Sequence, residues 1–194
     1  MFVNPSTLSP RLVQIQSLYP VLKKEWDRFN CDIEWKDFTS YQEKTIKHSN
    51  QGHEILYDEY FNAPTALPTA QWSIAPLYYN NKPYMRNAMY MPKTCKLLKW
   101  MDHTSYAGIT ALNPGFGLDW HYDDDPNPDT LQIRCFYTLE TCGGAYIEVQ
   151  ETEKRVVRKH FKDGEYMLFH SRKKHRVWNE GIVPRYSLVI DVYL

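Results

Sequence analysis

Short segments of alternating character in the second half of the chain restrict the folds that this sequence can adopt. In residues 131–139, Gln132, Arg134, Phe136 and Thr138 fall on one side of an extended chain, and apolar side chains fall on the other. Turns that contain glycine or proline separate this segment from other predicted strands. Those strands are 72–79, 106–113, 145–150, 155–161, 165–170 and 186–194. Many short strands joined by tight turns are typical of a double-sheet jelly roll.

Helices are predicted nearer the front of the chain. Ser9-Pro10 has the residue types of an N-cap and a first helical position. The apolar residues that follow recur at spacings of three or four, as an amphipathic helix requires. They are Leu12, Ile15, Leu18, Leu22 and Trp26. Pro20 is expected to kink or split this helix, and a short second helix is predicted at 92–100.

Length and composition are those of one soluble domain. The 194 residues fit a single α+β domain, with a helical N-terminal part at 1–70 and a double-stranded β-helix, the cupin-like jelly roll, at 71–194. Lys plus Arg and Asp plus Glu both number 23, so we expect neither nucleic acid nor a membrane surface as a partner. The N-terminus lacks the pattern of a signal peptide and no apolar run could span a membrane, so we expect a cytoplasmic protein.

The most informative chemical motif is the pair His121-x-Asp123, followed at a distance by His175. Side chains two residues apart on an extended segment project to the same side. Two histidines and one carboxylate form the facial triad of non-haem Fe(II) oxygenases, which leaves the opposite coordination positions open. Spacing alone is equally compatible with a polar loop followed by a capping histidine. Arg185, ten residues after the second histidine, could bind the carboxylate of an organic acid through its planar fork.

Other short motifs keep a characteristic order between residues 70 and 194. They are Trp72 with the aromatic residues after it, 92–98, 113–115, Trp120-His121, 131–134, 163–165, 175–179 and 185–193. In order and spacing, these motifs resemble the aspartyl/asparaginyl β-hydroxylase family of Fe(II)/2-oxoglutarate-dependent dioxygenases. The resemblance implies a jelly roll in which His121 and His175 hold Fe(II) and Arg185 anchors the co-substrate 2-oxoglutarate.

The resemblance also assigns roles to residues at which this chain differs from the family. The animal enzymes carry glycine at the position of Asp123 and hold iron with two histidines and water, whereas some small bacterial relatives keep the aspartate. We expect Asp123 to be a metal ligand here. The family's arginine and histidine that contact 2-oxoglutarate on the central strand correspond to Gln132 and Arg134. Thr110 stands where the family has a serine near the co-substrate, and Ser187 shares its side of the last strand with the anchoring arginine.

Some residues have a second interpretation that the sequence leaves open. Arg134 could pair with a carboxylate at the edge of the core or, as we expect, with a bound acid, because an unpaired buried charge is costly. The basic run 172–174 is either a solvated turn or a rim that recruits an acidic substrate. Trp120 and Trp178, which flank the two histidines, are expected to pack against the imidazoles and fix them.

Together these features predict a hydroxylase that uses Fe(II), 2-oxoglutarate and O2. Its substrate is expected to be an amino acid, the Asp or Asn side chain of a peptide, or another small acid. Two other functions stay open: a cupin-like module that binds a metal or a small acid without turnover, and a metal-free jelly-roll interaction domain. The sequence has no Walker, G-x-G-x-x-G or G-x-S-x-G motif, which argues against nucleotide-dependent and α/β-hydrolase chemistry.

Overall fold

The protein has three layers: helices, a large β-sheet and a small β-sheet. The computed structural model describes residues 2–4, 10–37, 65–66, 72–79, 82–101, 104–123, 132–141 and 143–193. In these ranges the helices are α1 (Pro10–Phe29), α2 (Met85–Ala88) and α3 (Pro92–Trp100). The strands are β1 (Trp35–Asp37), β2 (Thr65–Ala66), β3 (Trp72–Tyr79), β4 (Lys82–Pro83), β5 (Thr104–Leu112), β6 (Gly117–His121), β7 (Gln132–Glu140), β8 (Ala145–Thr152), β9 (Arg155–His160), β10 (Tyr166–His170), β11 (His175–Asn179) and β12 (Arg185–Tyr193). None of the described helices is long and apolar enough to cross a membrane.

Antiparallel pairing organises the strands into two facing sheets. The large sheet has the order β10-β7-β12-β5-β3-β1-β2, with β4 paired to β3, and the small sheet has the order β6-β11-β8-β9. Apolar side chains from both sheets meet between them. Two facing antiparallel sheets are the architecture of a jelly roll, so the predicted fold class is confirmed.

Alternation along the large sheet creates two cores, and β7 shows this most clearly. Ile133, Cys135, Tyr137 and Leu139 are buried in the core that the large sheet forms with α1 and α3. Phe136 is buried on the other face, in the core shared with the small sheet. The predicted division of this strand into two faces is confirmed, and its second face is the one that looks into the barrel.

A tyrosine of the large sheet accommodates the proline inside α1. The helix runs without a break from Pro10 to Phe29, so it is not split at Pro20. Proline has no N–H to give to the carbonyl four residues earlier. That carbonyl belongs to Gln16, and it accepts a hydrogen bond of 3.2 Å from the hydroxyl of Tyr137 instead. The sheet therefore satisfies the acceptor that the helix leaves open.

The N-terminal part of the chain also contributes strands. β1 and β2, which lie within the segment predicted as helical, pair with each other, and β1 pairs with β3. They extend the edge of the large sheet, so the N-terminal part and the jelly roll share one sheet. Ser9, and the side chains of Leu12 and Ile15, lie outside the described residues.

Two strands that were not predicted carry the candidate metal ligands. β6 ends at His121 and β11 begins at His175, and the two residues are partners in the antiparallel pairing of these strands. β6 starts with a glycine and is polar at its exposed positions, so it lacks the apolar alternation by which the other strands were predicted. The small sheet thus brings the two histidines together.

Candidate metal centre and acid pocket

His121 and His175 face each other across the pairing of β6 with β11. Their ring centroids are 4.3 Å apart. Each ring is oriented by a backbone carbonyl two residues earlier, because Nδ1 of His121 lies 2.6 Å from the oxygen of Asp119 and Nδ1 of His175 lies 2.7 Å from that of Lys173. In the tautomer that donates Nδ1–H to these carbonyls, both rings present a lone pair at Nε2.

Asp123 completes a set of three ligand atoms. Its Oδ1 lies 3.8 Å from Nε2 of His121, and its Oδ2 lies 3.4 Å from Nε2 of His175. One ligand atom from each residue lies within 4.8 Å of the other two. Ligands about 2.1 Å from an octahedral ion lie about 3 Å apart, so small side-chain rotations bring the three atoms onto one face of a metal ion. The triad could therefore hold a divalent metal and leave its other face open.

His175 has the more protected environment of the two histidines. It is only 1% exposed, and the ring of Phe169 packs against it with centroids 4.9 Å apart. Burial lowers the pKa of His175 to about 4, an effect that the charge of Asp123 partly offsets. The imidazole is therefore neutral at physiological pH, which is the state that binds a metal.

Arg134 connects Asp123 to the large sheet. Its Nε and Nη2 donate to Oδ1 and Oδ2 of Asp191, both at 2.7 Å, and its Nη1 lies 2.6 Å from Oδ2 of Asp123. Asp191 lies on β12 directly opposite Arg134 on β7. Of the two interpretations of Arg134, pairing with protein carboxylates is seen in the structure, and its contact with a co-substrate acid stays a prediction.

Arg185 lies in the same barrel and has no such partner in the part of the chain that the structure describes. It is 2% exposed, and its Nη2 donates to Oγ1 of Thr110 at 3.2 Å. The rings of Phe136 and Phe161 lie 5.4 and 4.4 Å from its Cζ. Among the described residues, its buried Nε and Nη1 have no hydrogen-bond partner, and no carboxylate pairs with it. Burial lowers the pKa of Arg185 to about 9, and a buried cation with unused donors is the chemistry of an anion site.

Three hydroxyl groups form a row beside this guanidinium. Thr110 on β5, Ser187 on β12 and Thr138 on β7 are neighbours in the strand register, and all three are buried. Thr110 Oγ1 lies 3.3 Å from the carbonyl oxygen of Ser187. Within the described structure, the buried hydroxyls of Ser187 and Thr138 have no hydrogen-bond partner. One cation and a row of hydroxyls can together surround a carboxylate.

Gln132 lies near the other end of β7 from this row. Its Oε1 accepts a hydrogen bond of 2.8 Å from Oγ of Ser171, and the carbonyl of Ser171 accepts one of 3.3 Å from the backbone N–H of Asp123. Gln132 therefore helps to frame the segment that carries a candidate metal ligand. Its contact with a co-substrate stays a prediction.

Phe169, not a tryptophan, holds the buried imidazole. Neighbouring side chains on a strand point to opposite faces, so Trp120 points away from His121, and the guanidinium of Arg176 lies over its ring at 5.0 Å. Trp178 packs against the backbone at Gly117. The predicted role of the two tryptophans is therefore wrong.

Sequence reasoning missed three residues of this region: Asp191, Thr138 and Phe161. Asp191 could have been found, because a carboxylate that interrupts the apolar run of β12 needs a buried cation. Thr138 was placed on the correct face of β7 but was given no role. Phe161 follows β9 and carries no pattern that points to the barrel.

The family is decided by comparison with known proteins. The sequence matches the model of the aspartyl/asparaginyl beta-hydroxylase family over residues 17–194. The chain belongs to this family. The resemblance of its motifs is thereby confirmed, and the match extends into α1. A comparison with curated proteins found no match.

Solved structures with this fold include an oxidoreductase of the 2OG-Fe(II) oxygenase family from Burkholderia pseudomallei. It shares 16% identity with this member of the hydroxylase family at a TM-score of 0.51, over 63% of this chain and 67% of that one. A predicted oxalate decarboxylase from Thermotoga maritima shares 15% identity at a TM-score of 0.41, over 63% and 81%. A DMSP lyase structure shares 14% identity at a TM-score of 0.35. The match covers 45% of this chain and only 37% of that protein. At 16% identity, the likeness to the Burkholderia pseudomallei oxidoreductase shows the fold alone.

Proposed function

We propose that this protein is an Fe(II)- and 2-oxoglutarate-dependent dioxygenase that hydroxylates an amino acid, a peptide Asp or Asn side chain, or another small acid. His121, Asp123 and His175 would hold the metal, and Arg185 would bind a carboxylate of the co-substrate. Membership of a hydroxylase family supports the reaction class. The positions of these residues in the barrel support a metal site at the triad and a carboxylate site at Arg185.

The observation that carries the proposal is the state of Arg185. A guanidinium that is 2% exposed and meets no carboxylate among the described residues has the chemistry to bind an anion, and a small organic acid would fit it. It lies between two sheets, on the same inner face of β12 as Ser187 and Asp191. An organic acid that reached this guanidinium would therefore enter the barrel in which the triad lies.

The charges of the site fit a divalent metal and a dianion that bind together. With the imidazoles in their metal-binding, neutral form, the charged groups of the site within the described part of the chain are Asp123, Asp191, Arg134 and Arg185, whose two negative and two positive charges cancel. Fe(II) alone would leave the buried site with an excess of positive charge, and 2-oxoglutarate alone with an excess of negative charge. Bound together, they keep it neutral, which limits the cost of burying ions.

Each residue of the chain then has a specific task. The imidazoles of His121 and His175 supply lone pairs whose direction is fixed by the backbone carbonyls behind them. Asp123 supplies a negative charge that water in its place could not. Phe136 and Phe161 cover the guanidinium of Arg185 and exclude water from it. When bound, Fe(II) and 2-oxoglutarate supply the oxidation that places a hydroxyl group from O2 on the substrate and releases succinate and CO2.

The test is turnover of 2-oxoglutarate by the purified protein. We expect stoichiometric Fe(II) binding and slow release of succinate and CO2 without added substrate, with neither activity in His175→Ala. A panel of free amino acids and of peptides containing Asp or Asn would then be screened for stimulated succinate release. Because the co-substrate oxidation is measured directly, the assay works before the substrate is known.

The alternatives give different results in the same assay. Stoichiometric metal binding with no succinate under any substrate would indicate a cupin-like module that binds a metal or a small acid without turnover. No specific metal binding by the parent would indicate a metal-free interaction domain. Either outcome would refute the proposed oxygenase.

A further inference from the structure

We infer that Arg134, fixed by Asp191, is a positioning residue that holds Asp123 so that it binds the metal through one oxygen. This inference rests on the proposed function, because it takes Asp123 as a metal ligand. It replaces the expectation that Arg134 binds a co-substrate acid. The guanidinium would act on the reaction through Asp123 and would touch neither the metal nor the co-substrate.

The pairing between Arg134 and Asp191 fixes the guanidinium in place. Two parallel hydrogen bonds of 2.7 Å join the guanidinium to both oxygens of the carboxylate. Such a bidentate pair fixes the plane of the guanidinium as well as its position. The two residues are also direct partners in the pairing of β7 with β12. Arg134 is therefore anchored to two central strands of the large sheet.

The remaining nitrogen of the Arg134 guanidinium reaches the other sheet. Nη1 of Arg134 lies 2.6 Å from Oδ2 of Asp123. Asp123 comes two positions after His121, the last residue of β6 in the small sheet. The contact thus crosses from one sheet to the other at the candidate metal centre. The backbone N–H of Asp123 is held as well, by the carbonyl of Ser171 at 3.3 Å.

The two oxygens of Asp123 have different surroundings. Oδ2 forms an ion pair with the guanidinium at 2.6 Å, whereas Oδ1 lies 3.8 Å from Nε2 of His121. An oxygen that is paired with a cation is less available to a metal, so coordination through a single oxygen is favoured. A carboxylate bound through one oxygen occupies one coordination position. The positions on the open face then stay available.

Burial makes this arrangement costly to disturb. The side chain of Asp191 is 5% exposed, and those of Arg134 and Asp123 are 18% and 12% exposed. Removal of the arginine alone would leave two nearly buried carboxylates beside each other without a cation. The test therefore needs a variant in which the charge of Asp191 is removed together with that of Arg134.

The experiment compares metal affinity in four proteins: the parent, Arg134→Lys, Arg134→Gln/Asp191→Asn, and Arg158→Gln as the matched control. Arg158 also pairs with a nearly buried carboxylate, that of Glu148 at 2.8 Å, but Glu148 lies on the face of the small sheet that points away from the barrel. Mn(II) and Co(II) are titrated by calorimetry without 2-oxoglutarate, and the absorption spectrum of the Co(II) form is recorded. Binding of 2-oxoglutarate is then measured on each Co(II)-loaded protein.

We expect the double variant to bind Mn(II) and Co(II) about 10- to 100-fold more weakly than the parent, as is usual when a partner of a metal ligand is lost. Arg134→Lys keeps a charge but cannot join both carboxylates, so its metal affinity should lie between those of the parent and the double variant. The Co(II) spectrum should change in both variants, because the coordination by Asp123 changes. Arg158→Gln should match the parent in both measurements.

Two results would overturn the inference while leaving the proposed function intact. One is a parent-like metal affinity and Co(II) spectrum in the double variant. The other is an unchanged metal affinity together with a large loss of 2-oxoglutarate affinity, which would return Arg134 to the role of a co-substrate ligand. Absence of specific metal binding in the parent would overturn both this inference and the proposed function.

Discussion

His175 lies directly opposite His121 in the pairing of β6 with β11, and the centroids of the two rings are 4.3 Å apart. Side chains of directly paired residues project to the same face of a sheet. A slip of one residue in this register would turn one imidazole to the outside of the barrel. The two-histidine part of the candidate metal centre is thus a property of the strand register, whereas Asp123 also contacts the other sheet through Arg134.

The first prediction concerns the histidines themselves. Replacing His175 with Ala should weaken Mn(II) and Co(II) binding by more than about 100-fold, because a ligand is lost outright. The far-UV circular dichroism spectrum should stay that of the parent, since the ladder of β11 uses backbone atoms. His160→Ala, at the exposed end of β9, is the control and should bind metal normally. Normal metal binding by His175→Ala would place the metal centre elsewhere.

The second prediction tests the register. A Cβ at Gly117 would lie 2.4 Å from the ring of Trp178 and 2.5 Å from the carbonyl oxygen of Val177. Gly117→Ala should therefore push the start of β6 away from β11, lower the free energy of unfolding by about 1–3 kcal/mol, and weaken metal binding although no ligand is changed. Val156→Ala, on the exposed β9 of the same sheet, is the comparison. A destabilised Gly117→Ala that keeps full metal affinity would show that the histidines do not depend on this pairing.

Local patterns predicted much of this molecule, and pairings between distant segments were the part that they could not predict. Alternation along β7 assigned both of its faces, and the His-x-Asp motif with a distant histidine named three residues that lie together in the structure. The pairing of Arg134 with Asp191 depends on the register between two strands that are far apart in sequence. The hydrogen bond from Tyr137 that accommodates Pro20 depends in the same way on how α1 docks on the sheet. Such contacts are set by tertiary packing.

The third prediction concerns the carboxylate. Asp123→Gly reproduces the glycine that the animal enzymes of this family carry. Because a carboxylate neutralises metal charge and water does not, the variant should bind Fe(II) at least about tenfold more weakly than the parent. The comparison is made by anaerobic titration, with His160→Ala as the control. Equal affinities would replace the facial triad by a two-histidine site.

The fourth prediction concerns the fork of Arg185. Arg185→Lys keeps the positive charge but loses the planar arrangement of donors that fits a carboxylate. The KM for 2-oxoglutarate should rise about 10- to 100-fold, the usual cost of hydrogen bonds to a charged group, while kcat should fall much less. Saturation curves of succinate release measure both quantities. A lowered kcat with an unchanged KM would mean that Arg185 acts in the reaction and not in binding.

The last prediction separates stability from function at the same position. At neutral pH the guanidinium of Arg185 is protonated in both the folded and the unfolded chain, and burial lowers its pKa only in the folded state. The cost of burying this charge is therefore present in full below about pH 9 and declines above it. Arg185→Met removes that cost and fills similar volume, so the ligand-free protein should gain about 1–4 kcal/mol of stability. Its Tm should no longer rise when 2-oxoglutarate is added with Mn(II), whereas the Tm of the parent should. Arg155→Met, whose parent side chain is 70% exposed, should change neither quantity. A less stable Arg185→Met would mean that Thr110, Phe136 and Phe161 already compensate the charge, and that the pocket does not require an acid.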